Sequence, residues 1–291
     1  MNILEKFRHQ GVVYSFEVFP PKTEKGLAQL KLTLGELARL EPDFISVTCG
    51  AGGGNRDNTV EICAHIAREL DVSAVAHVTC SWADRAQLGA MLDAAAAAGV
   101  EGVMALRGDP PKGESTFVAP TGGFAHASDL VRMIRDEKRP FFVGVAGYPE
   151  KHPESATPAS DLEFLKLKVD QGADLVVTQL FFDNQLYFDF VARARDRGIA
   201  VPIVPGIMPI ANYAKILEFC AFSSTSMPRD LALRMERVQH DPERTLAEGA
   251  AYAIEQIRDL LAGGAPGFHI YVLNQARSAK IILDALALGP R

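Results

Sequence analysis

Short, predominantly apolar runs recur along the chain: VYSFEVF (13–19), DFISVTC (43–49), AVAHVTC (74–80), GVMALRG (102–108), FFVGVAG (141–147), DLVVTQLFF (174–182), PIVPGI (202–207) and FHIYVLN (268–274). Most carry little polar alternation, as strands covered on both faces require, which predicts a parallel sheet. Between them the apolar positions take helical spacing: Leu27, Leu30, Leu34 and Leu37 share one face, and Leu162, Leu165 and Val169 share another. The interval from strand to strand is mostly about thirty residues, the size of a βαβ unit. Eight such units predict an α/β chain folded as one (β/α)8 barrel, with residues 1–291 as a single catalytic domain. The interval before the last run is longer. It holds MPRDLALRMERV (227–238) and an amphipathic stretch from Thr245 to Leu261, which predict extra helices inserted before the last strand. An open doubly wound sheet is the weaker alternative, because GAGGGN (50–55) matches neither glycine-rich nucleotide-binding spacing.

Composition narrows the partners. Of 291 residues, 48% are apolar and 23% charged, an ordinary globular balance, and the net charge of −6 offers no general attraction for nucleic acid or an anionic membrane. A small-molecule partner is favoured. The start MNILEKFRHQG lacks a leader pattern, and no stretch approaches the apolar length of a membrane span, so a cytoplasmic location is expected. The four cysteines, Cys49, Cys63, Cys80 and Cys220, form no C-x-x-C pair and read as free thiols. Without export, Arg107-Gly108-Asp109 is not read as an adhesion tripeptide.

In a barrel, the loops after the strand C-termini build the site. The polar residues that close the apolar runs are therefore informative: Glu17, Thr48, His77, Arg107 with Asp109, Tyr148 and Gln179. Taken singly, Glu17 reads as a solvated carboxylate, His77 as a satisfied core imidazole and Tyr148 as a packing aromatic. Six strands directing such groups toward one opening point instead to a binding site. No H-E-x-x-H or H-x-H pattern occurs, so no metal site is predicted. An organic cofactor fits better, with Arg107 and Lys168 meeting phosphate oxygens and Asp109 adjusting the electronics of a ring.

At these same positions the chain resembles the methylenetetrahydrofolate reductase family, through SFEVFPPK, SVTCGAGG, HVTC, ALRGDPP, VAGYPEKHPES, VTQLFFD, PIVPGIMPI and FHIYVLN in that order. The resemblance implies an FAD-containing barrel that takes hydride from NADH or NADPH and delivers it to 5,10-methylenetetrahydrofolate in ping-pong order, giving 5-methyltetrahydrofolate. It implies Glu17 as the general acid, with a pKa expected to be raised by burial among Phe16, Phe19 and Pro20. It implies Asp109 beside the flavin and the folate, Gln179 on folate and nicotinamide, and Phe219 stacking on either ligand. The implied FAD shell is Thr48, Cys49, Ala51, His77, Arg107, Gly108, Asp109, Ala127, Tyr148, His152, Asp161 and Lys168. Lys215 and Gln275 fall at substrate-contacting positions, where relatives carry glutamine and arginine, and Arg277 is a candidate to compensate at the latter. Phe164 and Leu167 replace polar groups that touch FAD, and Cys49 stands where tyrosine is common. The resemblance also implies NADH in preference to NADPH, no long regulatory extension, and a homodimer or homotetramer. Two other readings are a non-catalytic folate- or flavin-binding subunit and a barrel supplied with electrons by a partner protein.

Overall fold

The computed structural model describes residues 2–9, 11–49, 56–110 and 116–289. Its strands are β1 (Val13–Val18), β2 (Phe44–Val47), β3 (Ala74–Thr79), β4 (Gly102–Leu106), β5 (Phe142–Gly147), β6 (Leu175–Thr178), β7 (Ile203–Val204), β8 (Gly206–Ile207) and β9 (Gly267–Tyr271). They form one sheet in the order β7-β6-β5-β4-β3-β2-β1-β9-β8, and every pairing is parallel. The two ends of that order are the two halves of one extended run, separated by Pro205 alone. The run reaches β6 through Ile203 and Val204, and β9 through Gly206 and Ile207. The sheet thereby closes into the expected barrel. Proline has no N–H to give, which is why this stave divides in two. Its carbonyl still serves the ladder, accepting from the His269 N–H at 2.9 Å.

The helices are α1 (Ile3–His9), α2 (Glu24–Ala38), α3 (Arg56–Glu69), α4 (Arg85–Ala97), α5 (Ala127–Asp136), α6 (Pro158–Asp170), α7 (Asn184–Asp196), α8 (Tyr213–Ser223), α9 (Arg229–Glu236), α10 (Pro242–Ala262) and α11 (Ala276–Ala285). Local chemistry sets their starts. The side chains of Thr23, Asp84, Thr157 and Asp241 each accept from a first-turn N–H, and Pro158 and Pro242 occupy first-turn positions where no donor is needed. Three helices, α8, α9 and α10, lie between β8 and β9, and α9 and α10 are the predicted insertion. A cluster of Leu180, Met208, Ile210, Ile216, Leu231 and Met235 seats α8 and α9 on the barrel rim.

Alternation along each strand divides the core. Residues such as Phe16, Ile45, Val47, Ala76, Val78 and Val103 pack beneath the helices. Phe44, Val75, Met104, Phe142, Leu175 and Val204 form a separate interior cluster, into which α1 inserts Ile3. Moving along the same inward parity toward the strand C-termini, the side chains become polar, and register fixes which of them meet. Glu17 lies opposite Ser46 on β2 and Tyr271 on β9, while Ser15 lies opposite His269. Among the described residues no helix is long and apolar enough to cross a membrane.

Candidate active site

Two cavities open at the strand C-termini. The first, of about 210 Å³, is lined by Glu17, Val18 and Phe19 after β1, Thr48 after β2, Gln179 and Leu180 after β6, Met208, Tyr271 and Leu273, and by Phe219, Phe222 and Ser223 of α8. The second, of about 360 Å³, lies at the ends of β4 and β5. Arg107, Tyr148, His152, Glu154, the N-terminus of α5 from His126 to Ser128, and Asp161 and Lys168 of α6 line it.

Glu17 sits at the floor of the first cavity, with its side chain only 20% exposed. Its Oε2 is 3.2 Å from His77 Nε2 and 3.4 Å from His269 Nε2, and the Ser46 hydroxyl donates to it at 3.4 Å. The His77 approach is within ion-pair range but off a hydrogen-bonding direction, so its pull is mainly that of a charge. On the other side of the His269 ring, Nδ1 is 2.7 Å from the Ser15 hydroxyl. With Glu17 ionised, His269 Nε2 donates to the carboxylate and Nδ1 is free to accept from Ser15. Phe44 stacks on the His269 ring at 5.8 Å between centroids and fixes its plane.

This arrangement reverses the expected acidity of Glu17. Burial does push the carboxyl up, but the charge of His77 and the hydrogen bond and charge of His269 outweigh it and bring the pKa down to about 2. Glu17 is therefore held as the carboxylate, and it is the member of the cluster that lines the cavity. Tyr271, half-buried beside Glu17, has its phenol held well above the usual range by loss of water around the hydroxyl, with the charges of Glu17 and Tyr148 adding to the effect. Its hydroxyl donates to the Thr178 carbonyl at 2.6 Å. Gly206 leaves room for this contact, since a Cβ there would come within 2.5 Å of the Tyr271 oxygen and 2.3 Å of the Thr178 carbonyl oxygen.

Gln179 is held by its own backbone N–H, which donates to the Gly147 carbonyl at 2.7 Å. Thr48 N–H donates to the Val18 carbonyl at 2.9 Å, locking the ends of β1 and β2 together. The chain after β9 is pinned more firmly. Leu273 and Asn274 both take left-handed backbone angles, φ 48° and 58°, and the Asn274 amide accepts from Phe19 N–H and donates to Phe19 O, each at 2.9 Å. Two adjacent non-glycine residues in that region store strain, and here they carry Leu273 into the cavity. Asn274→Ala is expected to destabilise the chain by about 1–3 kcal/mol, from two lost hydrogen bonds and the loss of the residue type that best tolerates this backbone, as read by denaturant unfolding.

In the second cavity Lys168 Nζ donates to the Ala146 carbonyl at 2.5 Å, and burial brings its pKa down to about 8 against the opposing pull of Asp161. Asp161 accepts from Ser155 Oγ at 2.8 Å and from His152 N–H at 3.2 Å. The His152 ring meets the Tyr148 ring edge-on at 4.8 Å. Burial and the Arg107 charge lower the His152 pKa. Arg107 pairs both terminal nitrogens with Glu154 at 2.6 Å and lies 4.8 Å over the Phe117 ring. Gly108 turns the chain at φ +84°, and a Cβ there would come within 2.4 Å of Ser81 Oγ.

The structure thus gathers Glu17, Thr48, Gln179 and Phe219 into one cavity, and Arg107, Ala127, Tyr148, His152, Asp161 and Lys168 into the other. His77 lies behind Glu17. Asp109 is exposed at the end of β4 and lines neither cavity, although its charge acts on Tyr148 and Arg107. Cys49 is half-buried. Ala51 lies outside the described residues. Lys215 is exposed on α8 with its ammonium 5.7 Å from the Phe219 ring centre. Gln275 does not join the first cavity: it is exposed and begins α11. Arg277, the candidate to compensate, pairs its guanidinium with Glu243 of α10. Ser15, Ser46, His269, Tyr271 and Phe222 were absent from the sequence expectation. For the first four, the signal was parity, since they fall on the inward positions of strands whose register brings them to Glu17. Among the described residues no three His, Cys, Asp or Glu side chains gather at metal-holding geometry.

A family model for methylenetetrahydrofolate reductase matches residues 2–287. The chain belongs to the methylenetetrahydrofolate reductase family. It is 41% identical over 302 residues to methylenetetrahydrofolate reductase (NADH) 1 of Arabidopsis thaliana, covering 99% of this chain and 51% of that protein, so it spans about half the length of the plant relative. It is 36% identical over 278 residues to 5,10-methylenetetrahydrofolate reductase of Pectobacterium carotovorum, covering 95% of this chain and 90% of that protein. Among solved structures, an uncharacterised Clostridium thermocellum protein that binds two copies of 5-methyl-5,6,7,8-tetrahydrofolic acid superposes with a TM-score of 0.65 at 15% identity, over 97% of this chain and 96% of that one, a likeness of fold.

Proposed function

We infer that this family member reduces 5,10-methylenetetrahydrofolate to 5-methyltetrahydrofolate with NADH, or less readily NADPH, as the electron donor. Residues 1–291 act as one catalytic barrel. The observation that carries the reading is the Glu17–His77–His269 cluster opening into a cavity that also holds Gln179, Thr48 and Phe219. The reaction adds a proton to a ring nitrogen of the folate, which opens the bridge to an iminium, and a hydride to the bridging carbon. The protein has to place the proton, exclude water and hold the folate.

Glu17 delivers the proton. His77 and His269 flank its carboxylate, and Ser15 holds the His269 ring in orientation. Gln179 offers amide hydrogen bonds to a folate or nicotinamide ring, and Phe219 covers the ring face. The apolar lining of Val18, Leu180, Met208 and Leu273 keeps water from the carbon that accepts hydride.

The second cavity suits FAD. Its cations Arg107 and Lys168 and the α5 N-terminus make a donor set for a diphosphate. His152, Asp161, Ala127 and Tyr148 complete the surroundings. FAD bound there would supply two-electron storage between donor and folate, which is the basis for ping-pong order. Asp109 would bias the potential from the rim. Assembly as a homodimer or homotetramer and a cytoplasmic location accompany this reading.

The test is direct. Purified protein should be yellow, bleach anaerobically with NADH, and recover its colour as methylenetetrahydrofolate is converted to the methyl form. Protein that binds no flavin and leaves the folate unchanged would sink the proposal.

A pH effect follows from Lys168. Its ammonium is charged below a pKa of about 8 and neutral above it, so affinity for the anionic cofactor is expected to be full near pH 7 and to weaken as pH rises past 8. Equilibrium dialysis of FAD across that range reads the change. Lys168→Met should bind about tenfold or more weakly at pH 7 and flatten the profile.

A further inference from the structure

We propose that Glu154 is a displaceable stand-in for an anion at Arg107: its carboxylate holds the guanidinium fork and yields it to the diphosphate of an incoming ligand, so that Glu154 sets how tightly that ligand binds. This rests on the reading of the second cavity as the FAD site and goes beyond it, because it gives one residue of the wall a competing role.

Donor geometry gives the first argument. A guanidinium has five N–H groups in a fixed plane, which present two parallel pairs, one at the end and one along the Nε edge. Glu154 takes the end pair, Oε2 accepting from Nη1 and Oε1 from Nη2, each at 2.6 Å. The Nε–H donates to the Gly108 carbonyl at 3.2 Å, which closes the edge pair. The two N–H groups left over lie on opposite edges of the plane. No parallel pair remains for a phosphate, so Arg107 can grip one with two bonds only by releasing Glu154.

Charge gives the second. The charged groups of the cavity wall are the cations Arg107 and Lys168 and the carboxylates Glu154 and Asp161. Asp161 is committed to the Ser155 hydroxyl and the His152 N–H. With Glu154 in place the charges of the wall cancel. A diphosphate needs a positive wall, and it meets one when the Glu154 carboxylate has turned away.

The third argument is that turning away is easy. The Glu154 side chain is 48% exposed, against 21% for Arg107. Rotated outward, the carboxylate enters water, while the guanidinium keeps its place over the Phe117 ring. The backbone that carries Glu154 stays fixed. Its N–H donates to His152 Nδ1 at 3.1 Å, and the Lys151 ammonium donates to the carbonyls of His152 and Ser155 on either side. The exchange is therefore the rotation of one side chain on a held loop. An ion pair this open to solvent is worth little, so a ligand bearing two phosphates can displace it.

The test starts from the holoprotein. On dilution it releases FAD, and the return of flavin fluorescence gives the dissociation constant. Glu154→Gln, which keeps the volume and removes the charge, should lower that constant about three- to tenfold, because a larger fraction of Arg107 stands open to the ligand. In an Arg107→Met background the same substitution should change it less than twofold, since no fork is left to uncover. Inorganic pyrophosphate, titrated calorimetrically into flavin-free protein, should show the same gain and the same dependence on Arg107. Unchanged or weaker binding by Glu154→Gln would overturn the proposal and leave Glu154 a bystander or a support for Arg107. An equal gain in the Arg107→Met background would overturn it too, because Glu154 would then act by bulk repulsion and not by holding the fork. Wild-type protein that takes no FAD, with pyrophosphate affinity that still rises in Glu154→Gln, would keep the displaceable pair and remove the flavin. Protein that binds neither would remove both.

Discussion

Replacing Glu17 with glutamine should lower kcat for reduction of methylenetetrahydrofolate by about 10²- to 10⁴-fold, the usual worth of a positioned proton donor, while flavin bleaching by NADH proceeds at close to the wild-type rate. The split follows from geometry. Glu17 is the group of the histidine cluster that reaches the first cavity, whereas the cavity proposed for FAD at the ends of β4 and β5 is not lined by Glu17. Glutamine keeps the volume and can accept from His269, so the fold and the ring orientation should survive. Stopped-flow measurement of the two half-reactions separates the outcomes. An equal fall in both would mean that Glu17 supports the flavin site and is not the proton donor.

Much of the architecture was legible in the sequence because buried parallel strands leave little choice of composition. All eight apolar runs became staves of the barrel, and the long interval before FHIYVLN holds α8, α9 and α10. The division at Pro205 was less legible. A proline inside a run signals an interrupted ladder, but which neighbour each half pairs with is decided only by closure of the sheet. The strand-end rule likewise found Glu17, Thr48, Arg107, Tyr148 and Gln179, since a polar side chain that ends an apolar run in a barrel has nowhere to go but the mouth.

What the rule missed lies one layer below. Ser15, His269 and Ser46 are interior residues reached by counting inward parity back from Glu17, and they meet it only through the β1–β2 and β1–β9 registers. Their absence from the expectation is also why the acidity of Glu17 came out reversed. Burial among Phe16, Phe19 and Pro20 argues for a raised pKa when the neighbouring imidazoles are not counted. Gln275 lies apart from the first cavity. Motif alignment gave its place in the sequence, but the left-handed turn at Leu273 and Asn274 carries the chain away from the cavity before residue 275.

His269→Ala is expected to destabilise the protein by about 3 kcal/mol near neutral pH, because removal of one partner leaves the Glu17 carboxylate largely buried with less compensation. Ser15 loses its partner as well. The pH dependence distinguishes this from simple loss of packing against Phe44. In the wild type the folded-state pKa of Glu17 is lowered to about 2, so its contribution to stability is full above the unfolded-state value of about 4.3 and is lost as pH falls toward 2. In the variant, desolvation gains on the remaining His77 charge, the folded-state pKa rises, and that contribution shrinks. The stability gap between the two proteins should therefore be widest above about pH 4.3 and narrow steadily on acidification. Urea unfolding at a series of pH values measures it. A gap that stayed constant from pH 7 to pH 3 would show that His269 acts through packing alone, and the Glu17 carboxylate would then be kept ionised without the Ser15–His269 arm.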